Sequence, residues 1–507
     1  MSEGQGRLWE PTFNRCIKVR QQDQSITSDS GVLLLREVDH SLGLIRDLAG
    51  QLADPRDQEA VRYRLTELLR QRIYGLSLGY HAQDDLDRVA HDPAMKMAVW
   101  DRPGEQVLEE RLASQPSHSR LLEILSGPKD NLEALRRALP VWVLRHQRAA
   151  KDQASMRGTL DIDSFPIIVH GQQAGGAYNG YYKDTIYHPL AASFSAGGDY
   201  DGPRLGEGFV HAILRKGNAA PAAGAVRFIL TAMKRCQGLA RSLDVRFDAS
   251  FTVGPIMDPL TDQGVRFVGR LRNNGILDKL AEPHLRRLPG RPPKEGYEYV
   301  IELGSYQIES WRHAQRLLLV IVDRPDAKTG QLQLLPDYFF LVTNWPQTQR
   351  SGQDLLAHYR RRGTFEDRFA EFNGAIGPNL SSPAFAENEA TFLLSLLTFN
   401  LGGILRSEME AATGSGWDLG RMVGSVLKAG GKVVRSGRRL LLDVAAAVAP
   451  LWRGLLERIR HWRKPQARMP KPRPWVPAPA HAHLGVVLLA AHTAACLAGV
   501  SPAAVID

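Results

Sequence analysis

The stretch TLDIDSFPIIVH, residues 159–170, marks the point where the pattern of the chain changes from helical to β. Its apolar and polar side chains alternate, which is typical of a strand with one face toward a core. Two further segments of this kind follow, YHPLAASFSA (187–196) and GEGFVHAILRKG (206–217). We therefore predict that 159–170 contains the first strand of a sheet.

The next residues alternate between helical and strand patterns. The periodicity predicts a helix over 219–243, a strand over 244–251, a short helix over 252–264 and another strand over 265–272. Strands joined by helical crossovers are usually parallel. The predicted fold class is α/β, with a mixed sheet whose later strands are parallel.

The remaining chain divides by composition. The segment 281–350 predicts strands joined by Pro/Gly turns, and 440–462 predicts an apolar helix. The predicted domains are a helical N-terminal region (1–150), the first half of the core (151–280), a β-rich insertion (281–350), a return to the core (351–410), a basic helical region (411–463), and a Pro-rich linker with an apolar tail (464–507).

Positive charge is concentrated in one part of the chain. The 507 residues include 64 Lys and Arg against 54 Asp and Glu, a formal net charge of +10. Residues 401–480 alone hold 15 basic and five acidic side chains, a difference of ten. Such a block suits a polyanion such as nucleic acid, although a basic surface without a partner would give the same counts.

Secreted, disulfide-bonded and membrane classes are disfavoured. Cys16, Cys236 and Cys496 are far apart and suggest neither a zinc site nor a disulfide framework. The N-terminal residues lack the apolar core of a signal peptide, and the apolar run 484–500 is short for a membrane span. We expect a cytoplasmic protein.

The stretch YRRRGTFEDRFAEF, residues 359–372, is predicted to form one helix. At about 100° per residue, Phe365, Phe369 and Phe372 fall on one core-facing stripe. Glu366 lies at the edge of this stripe, where a partly buried functional carboxylate would sit. A solvated edge acid is the alternative.

Two aspartates stand at strand positions that suit ligand binding. Asp163 shares a strand face with Asp161, because side chains alternate along a strand. Asp248 ends the strand in VRFDASF, and α/β sheets bind ligands at the carboxyl ends of their parallel strands. Taken singly, each acid could simply cap the next turn. Together with Glu366 they could bind Mg²⁺, which prefers carboxylates and offsets their mutual repulsion.

The order of these elements and acids resembles bacterial insertion-sequence DDE transposases, and more narrowly the insertion-sequence-1380 type, over roughly residues 25–460. The most specific motif is Y-x2-R-x3-E-x6-K. Tyr359, Arg362 and Glu366 match it in register, whereas Asn373 stands where the family has Lys. The other two family acids correspond to Asp163 and Asp248. Further family-like stretches are SGVLLLREVDHSLGL, LLRQRIYGLSLGY, HGQQAGGAYNGYY and LASQPSHSR.

The resemblance implies an RNase H-like mixed sheet with an inserted β subdomain, flanked by N- and C-terminal helical regions. It implies cleavage of double-stranded DNA at transposon terminal repeats and joining to target DNA, with Mg²⁺ or Mn²⁺ held by the three acids. Tyr359 and Arg362 would orient the helix and the scissile phosphate, and Asn373 would contact DNA without a charge. A homodimer in the DNA complex and a nucleoid-associated location are also implied.

Basic clusters away from the acids predict further DNA contacts. One cluster lies in the N-terminal region and would bind the transposon ends; the other, in KAGGKVVRSGRR (428–439), would contact phosphates, or would be an exposed loop without a partner. The residues are Arg62, Arg64, Arg70 and Arg72 in the first, and Arg435, Arg438 and Arg439 in the second.

The segment HGQQAGGAYNGYYKD, residues 170–184, joins the first two predicted core strands and should lie near Asp163. Tyr181 and Tyr182 could stack on unpaired or distorted bases. Alternatively, the segment is an ordinary hairpin whose tyrosines pack on the core.

Two other functions stay open. The first is a transposase-derived DNA-binding protein that no longer cleaves, with Asn373 as its visible sign. The second is a metal-independent hydrolase that uses two carboxylates as acid and base. The second lacks the clustered Trp and Tyr side chains of a sugar-binding platform.

Overall fold

The computed structural model describes residues 25–462 except 103, 152–154, 197–205, 287–295, 326–334 and 438, together with 7–9, 12–13, 16 and 19–20. The predicted linker and tail, 464–507, lie outside the described residues. Helices and strands are numbered in chain order.

The N-terminal region is mainly helical, as its periodicity predicts. Its elements are β1 (Arg7–Trp9), β2 (Val19–Arg20), β3 (Ile26–Thr27), α1 (Val32–Leu42), α2 (Leu44–Ala49), α3 (Leu65–Ser77), α4 (Asp85–Val89), α5 (Pro93–Val99), α6 (Gln115–Ser126) and α7 (Lys129–Lys151).

The α/β region follows. Its elements are β4 (Ser155–Ser164), β5 (Ile167–Ile168), β6 (Ala177–Asn179), β7 (Asp184–Tyr187), β8 (Leu190–Ala196), β9 (Gly208–Ile213), α8 (Ala225–Arg235), β10 (Ala240–Phe247), α9 (Gly254–Asp262), β11 (Arg266–Leu271), α10 (Gly275–Ala281), β12 (Tyr297–Tyr306), β13 (Gln315–Asp323) and β14 (Asp337–Thr343). The last part contains α11 (Gly352–Arg360), α12 (Gly363–Ala375), α13 (Phe385–Thr413), α14 (Leu419–Met422), β15 (Gly431–Ser436), β16 (Arg439–Val444) and α15 (Ala449–Arg460).

An eight-stranded mixed sheet organises the α/β region, with the order β12-β13-β14-β11-β10-β4-β8-β9. β4, β10 and β11 are parallel to one another, and their neighbours β8 and β14 are antiparallel to them. Helices α8 and α9 make the crossovers between β9, β10 and β11. The prediction of a mixed sheet with parallel later strands, flanked by helical regions, is confirmed.

The three strands of the predicted β insertion belong to this same sheet. β14 pairs antiparallel with β11, and β13 and β12 continue outward from it. The interior side chains of β13 and β14 are apolar and almost fully buried, as expected of strands inside a sheet. The insertion therefore widens the sheet toward one edge and does not form a sheet of its own.

The helical parts from both ends of the chain share one core. α13 is 29 residues long and packs against α1, α3, α6, α7 and α15. Leu69, Trp142 and Phe392 lie in the same buried cluster. By length and composition α13 could cross a membrane, but most of its apolar surface is buried by these neighbours. It is the central helix of the fold.

Three predicted boundaries are wrong, each for a local reason. The helix over 219–243 ends with α8, because a turn with Gly238 at φ +95° separates it from β10. The single helix over 359–372 is two helices: the Arg362 N–H closes a turn on the Tyr359 carbonyl, and Gly363, a poor helix former, follows. The segment from residue 440 begins as β16, because its alternating side chains pair with β15.

Candidate functional site

Asp163 and Asp248 lie side by side at the carboxyl edge of the parallel strands. Phe247, the last residue of β10, pairs with Ile162 of β4. Asp248 follows Phe247 and Asp163 follows Ile162, so the two aspartates are neighbours. Adjacent strands are about 4.8 Å apart. Each aspartate also accepts a backbone hydrogen bond of 2.8 Å: Asp163 from Ser164, the last residue of β4, and Asp248 from Ser250 in the turn after β10. A turn-capping role and a place in a shared site thus coexist.

The guanidinium of Arg362 connects the aspartates to the helical acid. Its Nη2 contacts Asp163 Oδ2, and its Nη1 donates to Glu366 Oε1 at 2.6 Å. Arg362 lies at the start of α12, directly after the break between α11 and α12. The break therefore turns this side chain toward the sheet edge, and one cation lies between two of the three predicted acids.

Electrostatic coupling ties all three acids together. Burial raises the pKa of Asp163 to about 7, and the charges of Asp248 and Glu366 add to this rise while Arg362 opposes it. Burial also raises the pKa of Tyr359. The charge of Arg362 opposes this rise, and the charges of Asp248 and Glu366 add to it. These side chains therefore share one electrostatic environment.

Glu366 is more exposed than its sequence position suggests. The predicted stripe is confirmed, with Phe365, Phe369 and Phe372 buried. The Glu366 side chain, however, is 63% exposed, since it projects from the first turn of α12 toward Arg362 and solvent. An exposed carboxylate at the rim of a site remains accessible to a ligand.

A cleft of about 450 Å³ opens beside the acids. Asp248, Tyr359 and Arg362 line it together with Arg270 and Arg272. The two additional arginines were not predicted as site residues. They alternate in VRFVGRLR at the carboxyl end of β11, and the strand-end rule that selected Asp248 applies equally there. They make the wall of the cleft basic and suited to a phosphate.

A buried ionic network lies directly behind the cleft. Arg246 donates to both carboxylate oxygens of Asp161, at 2.8 and 2.7 Å, and to the carbonyl of His358 at 2.7 Å. The His358 ring contacts Asp244 at 2.7 Å. Burial alone would raise the pKa of Asp244, but His358 and Thr159 hold it below its usual value. The network fixes the end of α11, and hence Tyr359, to β4 and β10.

The donor set suits a hard divalent cation. Within the described ranges, no three His, Cys, Asp or Glu side chains are arranged to hold a metal ion, and Arg362 holds two of the acids instead. Asp248 lines the cleft, and Asp163 and Glu366 contact Arg362 at its edge; the three carboxylates nevertheless supply the oxygen ligands that Mg²⁺ and Mn²⁺ prefer. Burial, with a smaller contribution from the charges of Asp248 and Glu366, raises the pKa of Asp163, and a bound cation would oppose both effects.

The segment 170–184 is more ordered than an irregular loop. β6 and β7 form a three-stranded sheet with β5. The Tyr181 side chain is 87% exposed, and its ring centroid lies 4.9 Å from that of Tyr182. Burial raises the pKa of Tyr182, and the charges of Asp163 and Asp248 add to the rise. The expected proximity of this segment to Asp163 is thus supported, and Tyr181 does not pack on the core.

Two of the four N-terminal arginines are structural. Arg70 is buried and donates to Asp101 at 2.7 Å and to the Val99 carbonyl at 3.2 Å. Arg72 is buried beside the His81 carbonyl, and burial lowers its pKa to about 10. The prediction that these two bind DNA is wrong, because both point into the helical core.

Exposed arginines remain on the same region. Arg62 and Arg64 are exposed, and Arg62 lines a cleft of about 440 Å³. Arg56, Arg111 and Arg120 line it too, with Ser114 and Ser117 of the LASQPSHSR stretch. This cleft is basic and open to solvent.

The other predicted DNA contacts lie on exposed surfaces. The stretch 428–439 is largely the β15–β16 hairpin and not a loop. Arg435 and Arg439 are exposed on it, with Arg435 located 3.4 Å from Glu105, and Arg438 lies outside the described residues. Asn373 is exposed in the last turns of α12.

Comparison with known families gives one match. The model of the family described as transposase DDE domain, group 1, matches residues 9–464. No curated protein matches the chain.

Proposed function

Because the chain belongs to group 1 of the transposase DDE-domain family, we propose that it cuts DNA at transposon ends and joins them to target DNA by phosphoryl transfer dependent on Mg²⁺ or Mn²⁺. The observation that supports this most directly is the convergence of Asp163, Asp248 and Glu366 around Arg362 at the edge of the basic cleft. The three acids are far apart in the sequence, and the fold brings them together.

Asp163, Asp248 and Glu366 would hold the metal ions. Such ions, when bound, activate the attacking hydroxyl or water and stabilise the leaving oxygen of the phosphodiester. The protein contributes a half-buried aspartate on β4, an aspartate directly after β10 and an exposed glutamate on α12. The ionic network behind them limits how far the strands and α11 can shift.

Arg362 would have two successive partners. Without a metal its guanidinium compensates the charges of Asp163 and Glu366. When a metal neutralises these acids, the same planar donor group is free to bind a scissile phosphate bidentately. Arg270 and Arg272, across the cleft, would contact the neighbouring backbone. Tyr359 would hold the turn between α11 and α12.

Surfaces outside the cleft would bind the remaining DNA. Tyr181 and Tyr182 would stack on distorted bases next to the acids. Asn373, Arg435, Arg438 and Arg439 would contact the backbone, and the N-terminal cleft with Arg62 would bind the terminal repeat. A homodimer on the paired ends and a cytoplasmic, nucleoid-associated location complete the proposal.

A transposase-derived DNA-binding protein without cleavage activity is the second candidate. Asn373 favours it, because an amide donates hydrogen bonds but cannot supply the charge of the family Lys. This candidate predicts binding of terminal-repeat DNA and no product with either Mg²⁺ or Mn²⁺.

Cleavage of a labelled duplex carrying the terminal repeats that flank the gene tests the proposal. The wild-type protein should nick or cut this duplex in Mg²⁺, and Asp248→Asn should lose the activity while still binding DNA. Asp367→Asn is the matched control. Asp367 is an exposed acid on α12, next to Glu366, and this variant should remain active. Cleavage that survives in Asp248→Asn would rule out the assigned acids, and binding without cleavage in the wild type would select the second candidate.

A further inference from the structure

Three arginines surround one buried tryptophan at the opposite end of the sheet from the acids. The guanidinium carbons of Arg350, Arg266 and Arg157 lie 4.7, 5.8 and 6.0 Å from the centroid of the Trp345 ring. Arg350 is 7% exposed and Trp345 is 8% exposed. We call these four residues the Trp345 cluster.

The cluster carries positive charge without a matching carboxylate. Among the described residues, none of its three arginines forms an ion pair, and the polar partner of Arg266 is the Asn344 carbonyl at 2.6 Å. Of the nearby acids, Glu302 pairs with Arg316. Hydrogen bonds from Ser351 lower the pKa of Asp354 at the start of α11, and the charge of Arg350 adds to this shift without an ion-pair contact. Burial lowers the pKa of Arg266.

One buried hydrogen-bond donor of the cluster also lacks an acceptor. The indole Nε1 of Trp345 is buried and donates to no atom in the part of the chain that the structure describes. The faces of an indole attract cations but accept few of the five N–H donors of a guanidinium. Three like charges close together are costly unless an opposite charge compensates them. An oxyanion would supply both the charge and the missing acceptor.

The position of the cluster separates it from the catalytic cleft. Arg157 precedes Asp163 by six residues on β4, which corresponds to roughly 20 Å along a strand. Arg266 is the first residue of β11, whereas Arg270 of the cleft is near the end of that strand. α11 begins just after Arg350 and ends at Arg360, so this short helix joins the cluster to the acids.

We propose that the Trp345 cluster is a second phosphate-binding site, which takes one phosphate group of the DNA backbone at a distance from the acids. The guanidinium groups would bind the phosphate oxygens, and the indole N–H would donate to the same group. Arg is suited to this role because its planar fork matches phosphate geometry. That the phosphate belongs to DNA rests on the proposed function; the recognition of a phosphate group does not.

Two measurements on the full-length protein test the site. The first is the salt dependence of duplex DNA affinity for wild type, Arg157→Gln and Arg350→Gln, with Arg137→Gln as a matched surface control that lies on α7. Loss of one phosphate contact should reduce the slope of log affinity against log salt by about 0.9. Arg157 is exposed, so Arg157→Gln should fold normally. Asp248→Asn should keep the full slope.

The second measurement uses inorganic phosphate alone. The difference in fluorescence between wild type and Trp345→Phe isolates the signal of this indole, and phosphate should shift it in wild type but not in Arg157→Gln. A reduced salt slope without a fluorescence shift would show that the site binds a phosphate of the DNA backbone only. A fluorescence shift without a reduced salt slope would show that it binds free phosphate only. An unchanged slope together with an unchanged fluorescence would overturn the proposal. Absence of any DNA binding by wild type would refute the proposed function, and the fluorescence would still decide on this site.

Discussion

Arg362 donates a hydrogen bond of 2.6 Å to Glu366 across the first turn of α12, and the same guanidinium contacts Asp163. An arginine thus lies between two carboxylates that are proposed to bind metal. Any cation that binds both acids must compete with this side chain. The competition can be measured without following the reaction.

Replacing Arg362 with Gln should make the protein more dependent on metal for its stability. Without the guanidinium, the half-buried Asp163 loses the cation that offsets the charges of Asp248 and Glu366, so the melting temperature should fall by a few degrees in the absence of metal. Because bound ligand stabilises the folded state, Mn²⁺ should raise the melting temperature more in Arg362→Gln than in wild type. Arg360→Gln, which removes an exposed arginine paired with Glu298, is the control. An equal Mn²⁺ effect in both proteins would contradict competition.

Breaking the ion pair between Arg246 and Asp161 should destabilise the protein strongly. Arg246→Met leaves Asp161 buried without a countercharge, which costs about 3–5 kcal/mol. The double variant Arg246→Met/Asp161→Leu should recover much of this loss in urea unfolding. Arg316→Met, which breaks the more exposed pair with Glu302, should cost less. Equal losses for Arg246→Met and the double variant would show that packing, not charge, dominates.

Replacing Tyr181 and Tyr182 with Leu should lower cleavage of terminal-repeat DNA more than it lowers thermal stability. Tyr181 is almost fully exposed, so its loss removes little packing. Base stacking on an aromatic ring contributes about 1–3 kcal/mol per base, which corresponds to at least a fivefold loss of DNA affinity. Tyr297→Leu, on β12 at the sheet edge, controls for loss of an exposed tyrosine. A lower melting temperature with unchanged cleavage per folded molecule would give the pair a structural role and remove it from the DNA interface.

Neutralising the β15–β16 hairpin should weaken DNA binding without regard to sequence. Arg435→Gln/Arg439→Gln removes two exposed charges and leaves the strand pairing intact. If each contacts one phosphate, the salt slope should fall by about 1.8, equally for terminal-repeat and unrelated duplexes. Leu441→Ala, a change on the same hairpin without charge, should leave the slope unchanged. A slope that stays the same in the double variant would remove the hairpin from the DNA interface.

Buried histidines should make the fold sensitive to acid. Burial lowers the pKa of His118 to about 3 and that of His211 to about 2, and nearby arginines add to both shifts. In the unfolded chain both have a pKa near 6.5. Below about pH 6.5 the unfolded state therefore binds protons that the folded state does not, and stability falls with falling pH; above it these groups contribute no pH dependence.

Urea unfolding at several pH values checks this expectation. His118→Gln should flatten the dependence between about pH 6.5 and pH 4 by up to about 1.4 kcal/mol per pH unit. Leu122→Ala, on the same helix as His118, is the control. It should lower the free energy of unfolding by the same amount at every pH. An unaltered acid slope in His118→Gln would show that another group governs the transition.

The sequence predicts the residues of the site better than their geometry. Asp248 follows from the rule that ligands gather at the carboxyl ends of parallel strands, Asp163 from its strand face together with the family resemblance, and Glu366 from the phase of an amphipathic helix. The contact of Arg362 with Asp163 does not follow, because the two residues are 199 positions apart and meet only through the break after α11. The helical periodicity of the sequence continues through this break. The break itself consists only of one turn at Arg362 followed by Gly363, so the pattern of apolar residues does not reveal it.

The burial of arginine side chains is the feature that the sequence predicts least well. Arg70 and Arg72 lie in a stretch whose polar residues look solvent-facing, yet α3 is surrounded by α1, α5, α6 and α13. Neighbours supplied by distant parts of the chain decide which face of such a helix is inside. The pairing of β14 with β11 is invisible in the sequence for the same reason.

That pairing has a consequence for how the protein could change over time. An insertion that folds by itself can be gained, lost or exchanged with little harm to its host. Here, removal of β12–β14 would strip β11 of its outer neighbour and present a bare strand edge, which invites self-association. Core and insertion therefore depend on each other for a covered sheet edge, and a shortened relative would need a replacement strand to stay soluble.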